Sequence, residues 1–179
     1  MRDSGTKLHL QQLAGVRKHP TLVLGCGRRP VRGAINHDHV KHSEHVDVAW
    51  NLDKLPWPTP SDTFERIIAL DVFEHLKADV VDWLRECWRT LTVGGELVLR
   101  VSAWDNPVSY RDPTHRRFFM EESFCYFDPR HALYHDYGTV YFGDTIPTFE
   151  IVRVDRGNAD QRWPDKGDIC AVLRKVVRP

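Results

Sequence analysis

Cysteine is scarce in this chain and unpaired. Cys26, Cys87, Cys125 and Cys170 form no Cys-x-x-Cys pair. That excludes a zinc ribbon and a disulfide framework, and points to reduced, mostly buried thiols. An excess of charge of either sign is also lacking: 25 Lys+Arg balance 25 Asp+Glu. A general nucleic-acid binder shows a basic excess, so bulk DNA or RNA is not the expected partner. Arg111, Arg116, Arg117 and Arg130 still allow a local anion site. No apolar run reaches the roughly 18 residues of a membrane-span candidate. Met1 to Gly15 is polar, without the pattern of a signal peptide. The expectation is a soluble, cytoplasmic protein with no membrane partner. Repeats and low-complexity tracts are absent too. The 179 residues suffice for one proper core, so a single domain is expected over residues 1–179. Its oligomeric state is open.

The chain does contain alternating strand and helix signals. The apolar run Thr21-Leu22-Val23-Leu24 stops at Gly25-Cys26-Gly27. Two glycines spaced by one residue let a ligand approach bare backbone. In an open α/β sheet, the carboxyl end of a strand is where nucleotide-like ligands sit. Short strands are expected at Ala34–Asp38 and Val46–Trp50, and one buried on both faces at Arg66–Leu70. Asp79–Leu91 carries one apolar stripe (Val80, Val81, Leu84, Cys87, Trp88, Leu91) and reads as a helix. Asp79 serves as its cap, and Gly94-Gly95 stop it. Strands follow at Glu96–Val101, Phe149–Asp155 and Ile169–Val176, and a short helix precedes them all at Thr6–Val16. The pattern fits a mostly parallel α/β sheet closed by an antiparallel pair. The aromatic, His- and Arg-rich stretch at about 103–146 is too long for a structureless connector. It reads as a lid-like insertion.

Several segments together resemble the class I S-adenosylmethionine-dependent methyltransferases of the type-11 group. They are LGCG (24–27), the acid of INHD (35–38), NLDKLPWP (51–58), DVFEHL (71–76), RECWRTLTVGGEL (85–97) and DPTHRRFF (112–119). The resemblance implies a Rossmann-like, mostly parallel seven-stranded sheet with an antiparallel C-terminal strand, here shortened after the first strand. It implies S-adenosylmethionine as cofactor and a small-molecule or carried methyl acceptor. Gly25, Cys26 and Gly27 would approach the methionine end, Asp38 the ribose hydroxyls, and Asn51 and Leu52 the adenine. Asp71 would line the reacting end. His115 is the first candidate for a catalytic base and His75 the second. Arg116 and Arg117 are placed to bind a substrate anion, and Tyr110 and Tyr126 to shape the pocket. The chain departs from the family pattern at three points. Val23 stands where an acid is common, Asn51 where an Asp is common, and only Arg28 to Gly33 separates Gly27 from the second strand.

Plainer structural roles stand beside these. Glu74 and His75 can equally bond neighbouring backbone, and His115-Arg116-Arg117 can clamp the insertion onto the sheet. His37, His39, His42 and His45 crowd into nine residues with Asp38 and Glu44. Their placement around a strand end favours a solvated loop, and no metal site is expected. Cys26 reads as a small residue that fits. A nicotinamide oxidoreductase is disfavoured, because Pro30 occupies the third-glycine position and no helix starts promptly after the turn. A non-catalytic S-adenosylmethionine-binding or partner-binding module is the alternative function.

Overall fold

The computed structural model describes residues 20–157 and 167–177, together with Leu10, Gln12 and Gly15. The helix expected over Thr6–Val16 lies largely outside the described residues. Seven strands form one sheet: β1 (Thr21–Leu24), β2 (Ile35–Asp38), β3 (Val48–Ala49), β4 (Phe64–Leu70), β5 (Leu91–Val101), β6 (Phe149–Arg156) and β7 (Ile169–Lys175). Their order is β3-β2-β1-β4-β5-β7-β6. The first five run parallel, with Leu24 beside Ala69 and Ile67 beside Leu97. β7 runs antiparallel between β5 and β6, with Val98 opposite Val172. The strand order reverses at β1, so the carboxyl ends of β1, β2 and β4 open onto one crevice.

One sheet face carries the core. Leu22, Leu24, Ile67, Ala69, Leu97 and Leu99 are essentially sealed from solvent. Helix α1 (Val80–Thr90) covers them with Val81, Trp83, Leu84 and Cys87. Burying each such side chain stabilises the fold by roughly 1.5–3 kcal/mol. Asp79 caps α1 as expected, accepting from the Val81 N–H at 2.8 Å. The helix stops earlier than its glycines suggest. Leu91 is already extended and buried, paired with Phe64, and β5 continues to Val101 through an irregularity at Gly94-Gly95, where its register with β4 shifts. Packing of Leu91 ends the helix. Gly95 instead allows close strand contact, since a Cβ there would lie 2.9 Å from the Thr92 carbonyl and 3.1 Å from that of Glu65.

The other face is thinner, which corrects the expectation of a doubly buried β4. Ile68 is half-buried and Leu70 is 43% exposed. The ten-residue link from β1 to β2 forms turns rather than a helix. Among the described residues, the small cluster of Val23, Cys26, Ala34 and Val46 is what packs there, with Ile68 against it. A cavity of about 440 Å³ opens between the glycine turn, Val31, Ile68 and Leu70.

The stretch at 103–146 is structured. It holds α2 (Pro107–Arg111), a 3-10 segment Glu121–Phe127, a π turn Tyr134–Gly138 and α3 (Thr139–Phe142). Phe119, Phe124, Phe127 and Tyr134 extend the main core, and Phe73 stacks between Trp83 and Phe119. Polar anchors hold it down. Arg156 of β6 pairs with Asp105 and Glu121, and Asp128 accepts from the Ile151 N–H at 2.8 Å. Arg85 of α1 reaches the Thr145 carbonyl at 2.7 Å.

Candidate active site

The crevice at the strand ends encloses about 460 Å³, within the range of small-molecule clefts. A larger cleft of about 520 Å³ lies at the opposite end of the sheet, around Glu65, Arg66 and Gly94. It faces the amino ends of the parallel strands, where such sheets do not bind ligands. The crevice walls include Gly25, Asp38, Asn51, Leu52, Asp71 and His75. Five of the seven residues expected to hold the cofactor therefore line one cavity. Cys26 and Gly27 turn away from it and line the neighbouring cavity.

The first turn is built by local geometry. Gly25 and Gly27 both adopt positive φ, 62° and 53°, where a side chain is strained. Gly25 also packs against Val72, whose Cγ2 would lie 2.6 Å from a Cβ at position 25. The Asp38 carboxylate accepts from the Gly27 N–H at 2.8 Å and the His39 N–H at 2.6 Å. Burial alone would raise its pKa, but these two bonds and His42 outweigh that and hold it below the usual carboxylate value. Asp38 is therefore anionic at neutral pH. Burial and the Asp38 charge raise the Cys26 thiol pKa, so Cys26 stays protonated and unreactive.

The histidine-rich stretch is not simply a solvated loop. His37 is 1% exposed. Its Nε2–H donates to the Trp50 carbonyl at 2.9 Å, and its ring lies 3.8 Å from that of Trp50. Burial pushes its pKa down to about 4, against the opposing pull of the Trp50 carbonyl and Asp38. His45 Nε2 bonds the Gly27 carbonyl at 3.0 Å. These histidines brace the glycine turn. Trp50 lines the crevice as well, and its Nε1–H is buried without an acceptor. Hydropathy could not single out His37, because a buried neutral imidazole and a solvated one are the same letter.

The Asn51 side chain is partly used, since Oδ1 accepts from the Asp53 N–H at 2.9 Å. Leu52 is buried and gives the wall its apolar surface. Asp53, which sequence reasoning passes over, ties the adenine-side loop to the next segment, accepting from Lys77 and Ala78 at 2.6 and 2.9 Å. Asp71 has a left-handed φ of 57°, and Arg100 grips both its carboxylate oxygens.

Forty residues apart in sequence, His75 and His115 meet, with ring centroids 4.6 Å apart. The His115 Nδ1–H donates to the Ser109 carbonyl at 3.1 Å. Thr114 gives its hydroxyl hydrogen to Asp112 and accepts from His75 Nδ1–H at 2.8 Å. With Nδ1–H committed in this way, the acceptor lone pair of each ring lies on Nε2. Burial, with His115 beside it, lowers the His75 pKa. Beneath them Glu74 is fully buried. Its Oε1 accepts from the Ser102 N–H at 3.2 Å, and its Oε2 has no partner. Burial raises its pKa to about 7, with nearby Asp71 and Asp168 adding to the effect.

The expected anion binders separate. Arg117 spends its guanidinium on the carbonyls of Leu76 and Ala78, so here the clamp role holds rather than anion capture. The Arg116 N–H bonds the Glu74 carbonyl at 2.8 Å, and its side chain lines an apolar cavity of about 390 Å³ with Phe73, Phe118 and Phe124. Tyr110 is 63% exposed and stacks on Phe118. Tyr126 packs against the main core with its ring 6.2 Å from Tyr137.

His37 and Glu74 give opposing pH dependences. The folded-state pKa of His37 is depressed, so its contribution to stability falls as pH drops from about 6.5 to about 4. The folded-state pKa of Glu74 is raised, so its contribution falls as pH rises from about 4.5 to about 7. Over the shared window the two slopes, each about 1.4 kcal/mol per pH unit, cancel. Wild-type denaturation midpoints are expected to vary little between pH 4.5 and 6.5. The Glu74→Gln variant is expected to gain about 3 kcal/mol between pH 4 and 6.5. His75, whose pKa is also lowered, adds to the slope in the same direction, and a flat profile in that variant would overturn the depressed pKa of His37.

The strand order, the lone antiparallel β7 and the crevice at the strand ends define the fold of class I S-adenosylmethionine-dependent methyltransferases. Residues 22–99, which span β1 to most of β5, match the family model described as a methyltransferase domain. S-adenosylmethionine is the cofactor of the class that the matched methyltransferase domain represents. It is similar in fold to an S-adenosylmethionine-dependent methyltransferase from Mesorhizobium loti, at 14% identity and TM-score 0.58, with 96% of each chain covered. A candidate methyltransferase from Bacillus halodurans gives 14% identity and TM-score 0.58, covering 96% of this chain and 99% of that one. A chain from the complex of a Haloferax volcanii methyltransferase activator with its candidate methyltransferase gives 12% and 0.56, covering 97% and 92%. No curated protein matches the sequence. Among the described residues, no helix is long and apolar enough to cross a membrane.

Proposed function

We propose that this chain transfers the methyl group of S-adenosylmethionine to a small-molecule acceptor, or to an acceptor group carried on a larger molecule. The observation that carries the reading is the single crevice in which Gly25, Asp38, Asn51, Leu52 and His75 meet. The cofactor supplies an already activated sulfonium methyl. The protein's residues then have three tasks. The backbone at Gly25, where a Cβ would not fit, admits the methionine portion. The Asp38 carboxylate, anionic and at the end of β2, accepts the ribose hydroxyls, while Leu52 and Trp50 enclose the base. The unpartnered Trp50 Nε1–H suits such a polar, partly aromatic ligand. At the far end, His115 and His75 present lone pairs to the acceptor and take its proton when it carries one. Orientation of this kind accounts for roughly 7–11 kcal/mol of barrier lowering. The insertion over 103–146 brings His115 into place and acts as the lid of one domain, with Tyr110 and Arg116 on the acceptor side. The four free cysteines fit a reducing, cytoplasmic setting.

A second reading is a partner-bound or non-catalytic module. The half-open face around Ile68 and Leu70 supports it, as does the likeness to a chain in an activator complex. Calorimetry with S-adenosylhomocysteine, followed by turnover across O-, N- and S-acceptor panels, separates the two. Binding without turnover favours the module, and no binding at all removes both readings. The Asp38→Ala variant is expected to bind S-adenosylhomocysteine about 10- to 100-fold more weakly, the equivalent of a charge-assisted bond of about 1.5–3 kcal/mol. Unchanged affinity would take Asp38 out of the site.

A further inference from the structure

We propose that Glu74, His75 and His115 bind a divalent first-row transition-metal ion at the acceptor end of the crevice. One ligating atom from each residue lies within 4.8 Å of the others. Ligands about 2.1 Å from a tetrahedral or octahedral ion lie about 3.0–3.4 Å apart, so small side-chain rotations close the set. The hydrogen bonds point the same way. Both histidines commit Nδ1–H to a neighbouring oxygen, the Ser109 carbonyl and Thr114 Oγ1. This leaves each Nε2 for a ligand, with Asp112 Oδ2 3.9 Å from that of His115, as in metal sites whose outer partners fix the tautomer. Glu74 supplies the independent sign. It is fully buried, and its Oε2 makes no hydrogen bond. An unpaired buried carboxyl oxygen beside two imidazole lone pairs calls for a proton or a cation, and a single metal ion would satisfy all three groups at once.

One carboxylate and two imidazoles suit zinc, cobalt, manganese or iron better than magnesium or calcium. Three protein ligands leave coordination positions open. His75 lines the crevice, so an open position faces the acceptor. This deepens the methyl-transfer reading and rests on it for the site's use, but the binding itself does not depend on turnover. Such an ion would hold an acceptor oxygen and favour its deprotonated form, relieving the imidazoles of acting as a bare base.

The test uses the full-length, tag-free protein stripped with a chelator. Titration with Co²⁺ and Zn²⁺ is followed by cobalt d–d absorption and calorimetry. The expected result is one equivalent bound, with affinity reduced at least about 100-fold in Glu74→Gln and in His115→Ala. His135→Ala, at an exposed site, is expected to bind as wild type does. Circular dichroism and S-adenosylhomocysteine calorimetry on the same samples show that the variants fold and keep the cofactor site. His115→Asn is the second variant should alanine unfold the chain, since its amide can still reach Ser109. No stoichiometric binding by wild type, or equal binding by folded Glu74→Gln and His115→Asn, overturns the proposal. Loss of binding in His42→Ala but not in the His115 variants would place the ion in the histidine-rich loop and overturn it as well. Failure to bind S-adenosylhomocysteine while Co²⁺ still binds would count against the methyl-transfer reading alone.

Discussion

Alanine at position 115 is expected to lower turnover by about 10²- to 10⁴-fold, the range typical for removing a positioned proton acceptor. S-adenosylhomocysteine affinity should change little, because His115 does not line the walls that hold the cofactor. A control for structure is needed, as the His115 side chain is only 6% exposed and anchors to Ser109. Asparagine supplies that control. Its amide N–H stands in for Nδ1–H toward the Ser109 carbonyl, while nothing replaces Nε2. If turnover depends on Nε2, His115→Asn folds like wild type and stays as inactive as alanine. Recovery of activity in His115→Asn would make His115 a structural clamp. Loss of cofactor affinity in both variants would assign it the same structural role. The measurement is S-adenosylhomocysteine release under saturating cofactor, with the acceptor that the wild type uses best.

Alanine at position 25 is expected to damage both stability and cofactor binding. Two penalties act together. The φ of 62° disfavours any L side chain by roughly 1–2 kcal/mol. The new methyl would meet Val72 Cγ2 at 2.6 Å, and relieving such overpacking costs about 1–3 kcal/mol. The sum, about 2–5 kcal/mol, is a large part of the stability of a domain of this size. Relaxation moves Val72, and Val72 is itself part of the crevice wall. S-adenosylhomocysteine affinity should therefore drop even at temperatures where the variant is folded. Val72→Ala in the same chain removes the clash but not the strained φ. It should recover part of the loss in both denaturation and calorimetry. No recovery would mean that backbone conformation alone makes Gly25 necessary.

The α/β architecture is legible from periodicity. Short apolar runs mark β1, β4 and β5, and the Val81, Leu84 and Cys87 spacing marks α1. These signals are local, because alternation and helical spacing both follow from the backbone's own geometry. The start of β5 is misplaced by sequence, at Glu96 instead of Leu91, for the same reason. Gly94-Gly95 looks like a helix stop, yet Leu91 has already left the helix to fill a place beside Phe64. Two-sided burial of β4 is a false expectation because an apolar run does not say whether a helix covers each face. Five of the cofactor-side candidates meet in one crevice, since they follow strand ends and strand ends converge in a parallel sheet.

By itself, then, the sequence determined the strand and helix segments, the glycine turn at Gly25, the acid that ends β2 and the match to a methyltransferase domain over residues 22–99. Only the tertiary structure decided which titratable groups share a low-dielectric space. It buried His37 against Trp50 as a brace, turned Arg117 onto backbone carbonyls, and brought His115 across forty residues to His75 above the unpaired oxygen of Glu74. Local pattern encodes which face of an element is apolar. The meeting of three polar side chains depends on how the insertion packs on the sheet, and packing is a long-range property of the whole chain.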